Sequence, residues 1–189
     1  MTEIADRYRA HADAFEDKVS AVRPEQWSNP SPCAKWSARD VVDHIVAMHG
    51  YMLSPLGRRL GSEVSVAADP LAAFRAARAA VEEVLGDPAL AGTRCETPTG
   101  PMTVEDQIDQ VVSDDLVLHG WDLARATGQD WEVPAAAAEQ AGQFLAGFAA
   151  QGREMGLFAE PVPVVAHATA LDRALGLSGR DPAWRADTV

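Results

Sequence analysis

Cysteine is scarce in this sequence. Its 189 residues include only Cys33 and Cys95, which lie far apart along the chain. A disulfide framework needs more cysteines and an exported chain, and the amino-terminal segment MTEIADRYRA lacks the basic-then-apolar layout of a secretion signal. We therefore expect free thiols and a cytoplasmic protein.

Basic residues and long apolar runs are also lacking. Sixteen Lys and Arg stand against 28 Asp and Glu, which gives a formal net charge of −12. Nucleic-acid binding needs clustered basic side chains, and a membrane-spanning helix needs a run of about 18 apolar residues. Because neither is found, we expect no nucleic-acid or membrane partner, and the acidic surface serves mainly solubility.

What the sequence does have is the pattern of a helical protein. A length of 189 residues suits one domain spanning 1–189, and its many alanines favour helix over strand. Apolar periodicity and capping residues predict helices at about 4–22, 38–54, 70–86, 103–127, 134–155 and 171–177. The proline-rich segment 97–101 predicts a loop. We expect an all-α protein, a four-helix bundle with accessory short helices and loops, as a monomer or homodimer.

Some apolar side chains are expected to point inward from these helices. On the long fourth helix, Val104, Ile108, Val111, Leu118 and Ala126 recur at helical spacing. On the fifth helix, the inward set comprises Phe144, Leu145 and Phe148.

Polar residues that could bind a metal interrupt two of these apolar stripes. His44 lies at the edge of the stripe on the second helix, and Asp115 falls within the stripe on the fourth, with His119 one turn later. Residues at i and i+4 can both reach one ion, and a third ligand from a facing helix completes the set. His44, Asp115 and His119 would leave one position open, as in catalytic sites for zinc, or for nickel or iron.

The pattern alone leaves other interpretations open. His44 could be a hydrogen-bonded core histidine, and Asp115 with His119 could form a pair within one helix. We expect Asp122 to orient a histidine or to pair with Arg125 rather than to bind the ion.

Three neighbouring residues have no assigned chemistry. We expect His49 to be exposed, because it lies off the face of His44. Cys33 could be a reactive thiol, although a small buried residue of the loop fits the sequence better. Trp121 is expected to pack outside the site or against its wall.

The segments that carry these residues resemble a known family. Residues 31–44 (SPCAKWSARDVVDH) and 115–128 (DLVLHGWDLARATG) are similar to motifs of the actinobacterial branch of the DinB-like superfamily. They resemble more narrowly the metal-binding domain of mycothiol-dependent maleylpyruvate isomerase. The resemblance continues through 156–163 and 175–182, so it spans nearly the whole chain.

The resemblance implies a four-helix bundle that holds a divalent metal, usually zinc, through His44, Asp115 and His119. The characterised isomerase has Glu where this chain has Asp115, and the shorter side chain would draw the ion toward the helix that carries it. That isomerase also carries a separate C-terminal domain, for which we expect no room in 189 residues.

Three functions follow from a metal at this position. The first is a thiol-dependent isomerase or transferase, with mycothiol as the implied cosubstrate and an electrophilic small molecule as its partner. The second is a non-catalytic metal or small-molecule binding protein. The third is a metal-assisted hydrolase, in which water replaces the thiol. No catalytic base can be named from the sequence.

Overall fold

The helices dominate the secondary structure. The computed structural model describes residues 2–62 and 65–186. Its helices are α1 Glu3–Ser20, α2 Ala38–Leu53, α3 Pro70–Gly86, α4 Pro88–Ala91, α5 Val104–Gln107, α6 Asp114–Thr127, α7 Ala135–Glu154 and α8 Ala170–Leu177. No helix within these described ranges is long and apolar enough to cross a membrane.

Side-chain caps fix where several helices begin. The Ser37 hydroxyl accepts a hydrogen bond from the backbone N–H of Asp40, and the Asp40 carboxylate accepts one from the Ser37 N–H. Thr103 and Asp106 form the same reciprocal pair at the start of α5. These caps satisfy N–H groups that have no partner inside the helix, and they confirm the predicted starts.

The predicted long fourth helix contains a change of helical type. Between α5 and α6, residues Ile108–Ser113 form a π-helix, and the backbone stays in the right-handed helical region on both sides of it. The three segments therefore form one continuous rod, which we call the α5–α6 rod. Sequence periodicity did not show the π-helix, a feature often found near functional sites.

Four helices enclose the main core. Helices α1 and α2 both contact α3 and the rod, which is the arrangement of a four-helix bundle. Its largest fully buried side chains include Tyr8, Phe15, Ile45, Phe74 and Leu116. The predicted all-α bundle with accessory helices is confirmed.

A second, smaller core lies on the outer side of α6, where α7 and α8 pack. Leu118 and Trp121 of α6 join Leu145 of α7 and Leu175 of α8 in this cluster. The expected direction of Leu118 into the bundle is therefore wrong, because α6 is covered on two sides and its apolar residues divide between two cores. Trp121 lies in this second core, away from the metal-binding candidates.

Two further expectations for side chains need correction. Phe144 and Phe148 of α7 are only half-buried, whereas Leu145 between them is fully buried. The two phenylalanines line a cavity instead of the core.

The segment predicted as a loop at 97–101 is the tip of a β-hairpin. Strand β1, Arg94–Thr97, pairs antiparallel with β2, Gly100–Thr103, around a two-residue turn. The prolines fit because Pro101 lies on a two-stranded ribbon with free edges, where a missing N–H need not break a ladder. This hairpin forms one wall of the cavity.

Candidate functional site

A cavity of about 750 Å³ opens beside α2 and the α5–α6 rod. Its other walls come from the loop before α2, the hairpin, α7 and the segments on both sides of α8. His44, Asp115 and His119 all line it. A cavity of this size and mostly apolar lining is typical of small-molecule sites.

The three predicted metal ligands lie close together. The Nε2 atom of His44 is 3.4 Å from Oδ2 of Asp115, and the His44 and His119 ring centroids are 4.6 Å apart. One ligand atom from each of the three residues lies within 4.8 Å of the other two. The structure therefore brings together residues from two helices that are 71 to 75 positions apart in the chain.

Asp115 does not lie within the buried stripe of Ile108, contrary to what its spacing predicted. Val111, which was expected to point inward, is only partly buried and lines the cavity as Asp115 does. The core stripe of the rod is Ile108, Val112 and Leu116, whereas the Asp115 side chain is 23% exposed on the cavity wall. The intervening π-helix has more residues per turn than an α-helix, so spacing rules based on 3.6 residues do not hold across it.

Hydrogen bonding orients the His119 ring. Its Nδ1 lies 2.9 Å from Oδ2 of Asp122, one turn away on α6. An ionised carboxylate can only accept, so Nδ1 carries the proton and donates it to Asp122. The Nε2 lone pair of His119 is then free for a metal or a proton. This is the orienting role predicted for Asp122.

The partner of Asp122 is Arg180, and the alternative pairing with Arg125 is wrong. Arg180 donates from Nε to Oδ1 at 2.9 Å and from Nη2 to Oδ2 at 2.7 Å, with both side chains buried. Arg125 instead lies over the Trp121 ring. Burial alone would raise the pKa of Asp122, but the charge of Arg180 and the hydrogen bonds from His119 and Arg180 lower that pKa to about 2.

Arg180 was not among the site residues predicted from the sequence. It lies just after α8, 58 residues beyond Asp122, so no helical spacing connects the two. The only signal was its place within the resembling segment 175–182. Its Nη1 also donates to the Ser178 hydroxyl at 2.9 Å, and this bond helps to fix the guanidinium beside Asp122.

The electrostatics of the site keep Asp115 ionised. Burial would raise the pKa of Asp115, but the hydrogen bond with His44 and the nearby His119 and Arg180 lower it below the ordinary value. Burial lowers the pKa of His119, against the opposing effect of Asp122. An ionised carboxylate beside two imidazole rings is a donor set that suits a divalent ion.

Trp36 covers the two histidines from the loop before α2. Its ring lies 4.9 Å from the His44 ring and stacks on the His119 ring at 5.6 Å with planes 22° apart. The stacked ring limits how far either imidazole can rotate. The ring nitrogens of His44 and His119 therefore stay directed at the same point in the cavity.

Cys33 borders the cavity but does not have the features of a reactive thiol. It is half-buried, and burial raises its pKa to about 12 although Arg180 donates to its sulfur at 3.5 Å. Reactive cysteines have lowered pKa values and exist largely as thiolates. This agrees with the expectation of an unreactive loop residue.

His49 is fully buried, so its expected exposure is wrong. The Nδ1–H of His49 donates to the Ile45 carbonyl at 2.7 Å, and Nε2 accepts from the Tyr8 hydroxyl at 2.9 Å. The ring faces α1 and α3, on the side of α2 opposite to the cavity. His49 is thus a hydrogen-bonded core histidine, which was the alternative interpretation of His44.

Comparison with known proteins supports the resemblance. Residues 8–124, more than half of the chain, match the model of the mycothiol maleylpyruvate isomerase N-terminal domain. Two proteins of Mycobacterium tuberculosis, the uncharacterized proteins MT0763 and Rv0738, are each 31% identical to it over 124 residues. These matches cover 64% of this chain and 65% of each relative, so they span just under two thirds of the relatives' length.

Solved structures share the fold at low sequence identity. The crystal structure of the mycothiol-dependent maleylpyruvate isomerase superposes with a TM-score of 0.57 at 15% identity, covering 79% of this chain and 71% of that one. A mutant of that enzyme gives a TM-score of 0.55 at the same identity and coverage. By the family match and the shared bundle, this chain belongs to the mycothiol maleylpyruvate isomerase N-terminal domain family.

Proposed function

We propose that His44, Asp115 and His119 bind one divalent metal ion, zinc being the best fit and nickel or iron the alternatives. Two imidazoles and a carboxylate are a common ligand set of catalytic zinc. Ligand atoms around a tetrahedral ion lie about 3.4 Å apart, and the His44 to Asp115 distance is 3.4 Å. A ligand atom of His119 lies within 4.8 Å of both, and its Nε2 is the nitrogen that does not bond to Asp122.

A second group of potential ligands is a poorer candidate. Cys33, His119 and Asp122 also lie within 4.8 Å of one another. However, Arg180 occupies the space among them and donates to both Asp122 and Cys33. A cation there would face a guanidinium charge, and Cys33 would have to lose a proton at a pKa near 12.

We further propose that the chain is a thiol-dependent isomerase or transferase that uses mycothiol, and the description of its family, which includes mycothiol, supports this choice of thiol. A divalent ion supplies a Lewis acid that lowers the pKa of a thiol bound to it. Residues of the chain itself would order the surroundings of the ion. Asp122 keeps the donor atom of His119 directed inward, and Trp36 excludes water from one side. The observation that carries the proposal is the convergence of three metal-binding side chains on a cavity large enough for two small molecules.

The first test is the metal content. Protein purified without metal-affinity resin should contain about one ion per chain, and His44→Ala and His119→Ala should each lose it. His167→Ala is the matched control, because His167 is exposed and away from the cavity. Elemental analysis reads the result. Retention of the ion in either site variant, or no ion after reconstitution of the wild type, would contradict the metal site.

The second test separates the functions. A panel of electrophiles is incubated with the metal-loaded protein with and without mycothiol. Turnover only with the thiol supports the proposal. Ester or amide hydrolysis without it would favour the hydrolase, and bound metal without any turnover would favour a binding protein.

A further inference from the structure

The cavity walls beyond the histidines are largely apolar. The stacked rings of Phe144 and Phe148 have centroids 5.2 Å apart, and Phe158 meets Phe148 edge-on at 6.2 Å. All three line the cavity. We call these three rings the aromatic wall of the cavity.

The rim of the cavity is apolar as well. Four large hydrophobic side chains are exposed among the described residues, and three of them, Tyr51, Met155 and Leu157, line this one cavity at 52 to 58% exposure. Exposed apolar side chains cost little when scattered, but a cluster around a concave site marks a ligand or partner surface. Continuity with the aromatic wall indicates that a single ligand covers both.

Among the described residues that line the cavity, no free cation is available to receive a carboxylate. Arg180 is the one Arg or Lys that lines it within the described part of the chain. The guanidinium is already bonded to Asp122, Ser178 and Cys33, and Asp115 adds a negative charge. Maleylpyruvate, the compound in the family's name, carries two carboxylates, and these walls offer them no counter-charge beyond that of an ion at the histidines.

We infer that the electrophilic substrate of this chain carries an uncharged aromatic or aliphatic group, which packs on Phe144, Phe148 and the rim residues Met155 and Leu157. This inference rests on the proposed function for the reacting end of the substrate. The apolar walls themselves do not depend on a metal or a thiol. Burying an apolar group on such walls is favourable because it removes apolar surface from water.

The test therefore uses a probe that needs neither metal nor thiol. Binding of 2-naphthol, an uncharged aromatic, is measured by calorimetry on the full chain after metal removal by a chelator, beside binding of maleate, a dicarboxylate. We expect saturable 2-naphthol binding with a negative heat-capacity change, and no saturable binding of maleate.

A rim variant locates the binding. Met155→Gln/Leu157→Gln changes two exposed residues and should fold normally, yet should weaken 2-naphthol binding by about tenfold. Val165→Gln is the matched control, because Val165 is 63% exposed and does not line the cavity. Its affinity should stay within about twofold of wild type.

Three results would overturn the inference. One is maleate binding as tightly as 2-naphthol, and another is equal affinity of the rim variant and the Val165→Gln control. The third combines two observations: 2-naphthol does not bind, and sedimentation shows a self-association of the wild type that the rim variant abolishes. The rim would then be a contact between copies of the chain. None of these results changes the metal content, so failure here is distinguishable from failure of the proposed metal site.

Discussion

Two histidines on the same helix have opposite environments. His44 is partly exposed at the cavity, whereas His49, five residues later, is fully buried against Tyr8 and Phe74. A rotation of about 100° per residue places positions five apart on different faces of a helix. One imidazole is thus available for chemistry, and the other belongs to the core.

The buried imidazole makes stability depend on pH. Burial lowers the pKa of His49 to about 4 from 6.5, despite the hydrogen bond to the Ile45 carbonyl. Between these two values the unfolded chain binds the proton more readily than the folded chain. The contribution of the neutral His49 ring to the free energy of unfolding is therefore complete above pH 6.5. It decreases as the pH falls toward 4, by about 3 kcal/mol in total.

Denaturant unfolding at pH 7, 6 and 5 checks this prediction. His49→Gln should keep a partner for Tyr8 but lose that part of the pH slope, because an amide does not titrate. Tyr8→Phe should lower the free energy of unfolding at every pH and leave the slope unchanged. If His49→Gln retained the wild-type slope, its titration would not be the cause.

At the scale of the elements, α6 is packed so closely at one position that only glycine fits without moving its neighbour. A Cβ at Gly120 would lie 2.2 Å from the Trp131 ring, whose Nε1–H donates to the Val117 carbonyl of the same helix. Trp131 thereby covers α6 and joins the second core. Glycine is required here by the close contact with the Trp131 ring and not by the backbone conformation, which is helical.

We predict opposite effects for two alanine substitutions in helices. Gly120→Ala should lower the free energy of unfolding by about 1–3 kcal/mol, because Trp131 has to move. Gly147→Ala on α7 should raise it by up to about 1 kcal/mol, since nothing lies within 4 Å of a Cβ there and alanine favours helix. Chemical denaturation measures both. Equal effects of the two substitutions would show that Trp131 does not press on α6.

At the scale of the whole molecule, one ion pair connects the bundle to the accessory helices. Arg180 follows α8 and pairs with Asp122 of α6, and it also reaches Cys33 in the loop before α2. The carboxyl-terminal segment thus takes part in orienting His119 through Asp122. We expect truncation before α8 to disturb the site as well as the second core.

Breaking this buried pair should be costly. Arg180→Met leaves the buried Asp122 charge without a charged partner, so the free energy of unfolding should fall by about 3–5 kcal/mol. Arg180→Met/Asp122→Asn should recover much of that loss, because no buried charge remains and the amide oxygen introduced at that position still accepts from His119. Arg185→Met, at an exposed position, should change stability by less than about 0.5 kcal/mol. A double variant no more stable than Arg180→Met alone would contradict the charge explanation.

Local patterns in the sequence were sufficient for the helices and for part of the site. Capping pairs such as Ser37 with Asp40 act over three residues, and apolar periodicity acts over one helix, so both can be interpreted without knowing the fold. The candidate ligands Asp115 and His119 share one helix for the same reason. His44 joined them through the resemblance and through its position at the edge of a stripe.

Features that depend on contacts between distant segments needed the tertiary structure. The pairing of Asp122 with Arg180 spans 58 residues, and the burial of His49 is decided by side chains from α1 and α3. The π-helix moved Asp115 from the apolar stripe to the cavity wall, which a rule of 3.6 residues per turn does not show.

The sequence by itself therefore determined the helices, the all-α class and three side chains suited to a metal, because these follow from local propensity, periodicity and ligand chemistry. Only the tertiary structure decided which polar groups meet, which of two histidines is buried, and that the cavity beside them is aromatic and apolar. Such properties arise from packing between segments, whose free energy has no counterpart in any single stretch of sequence.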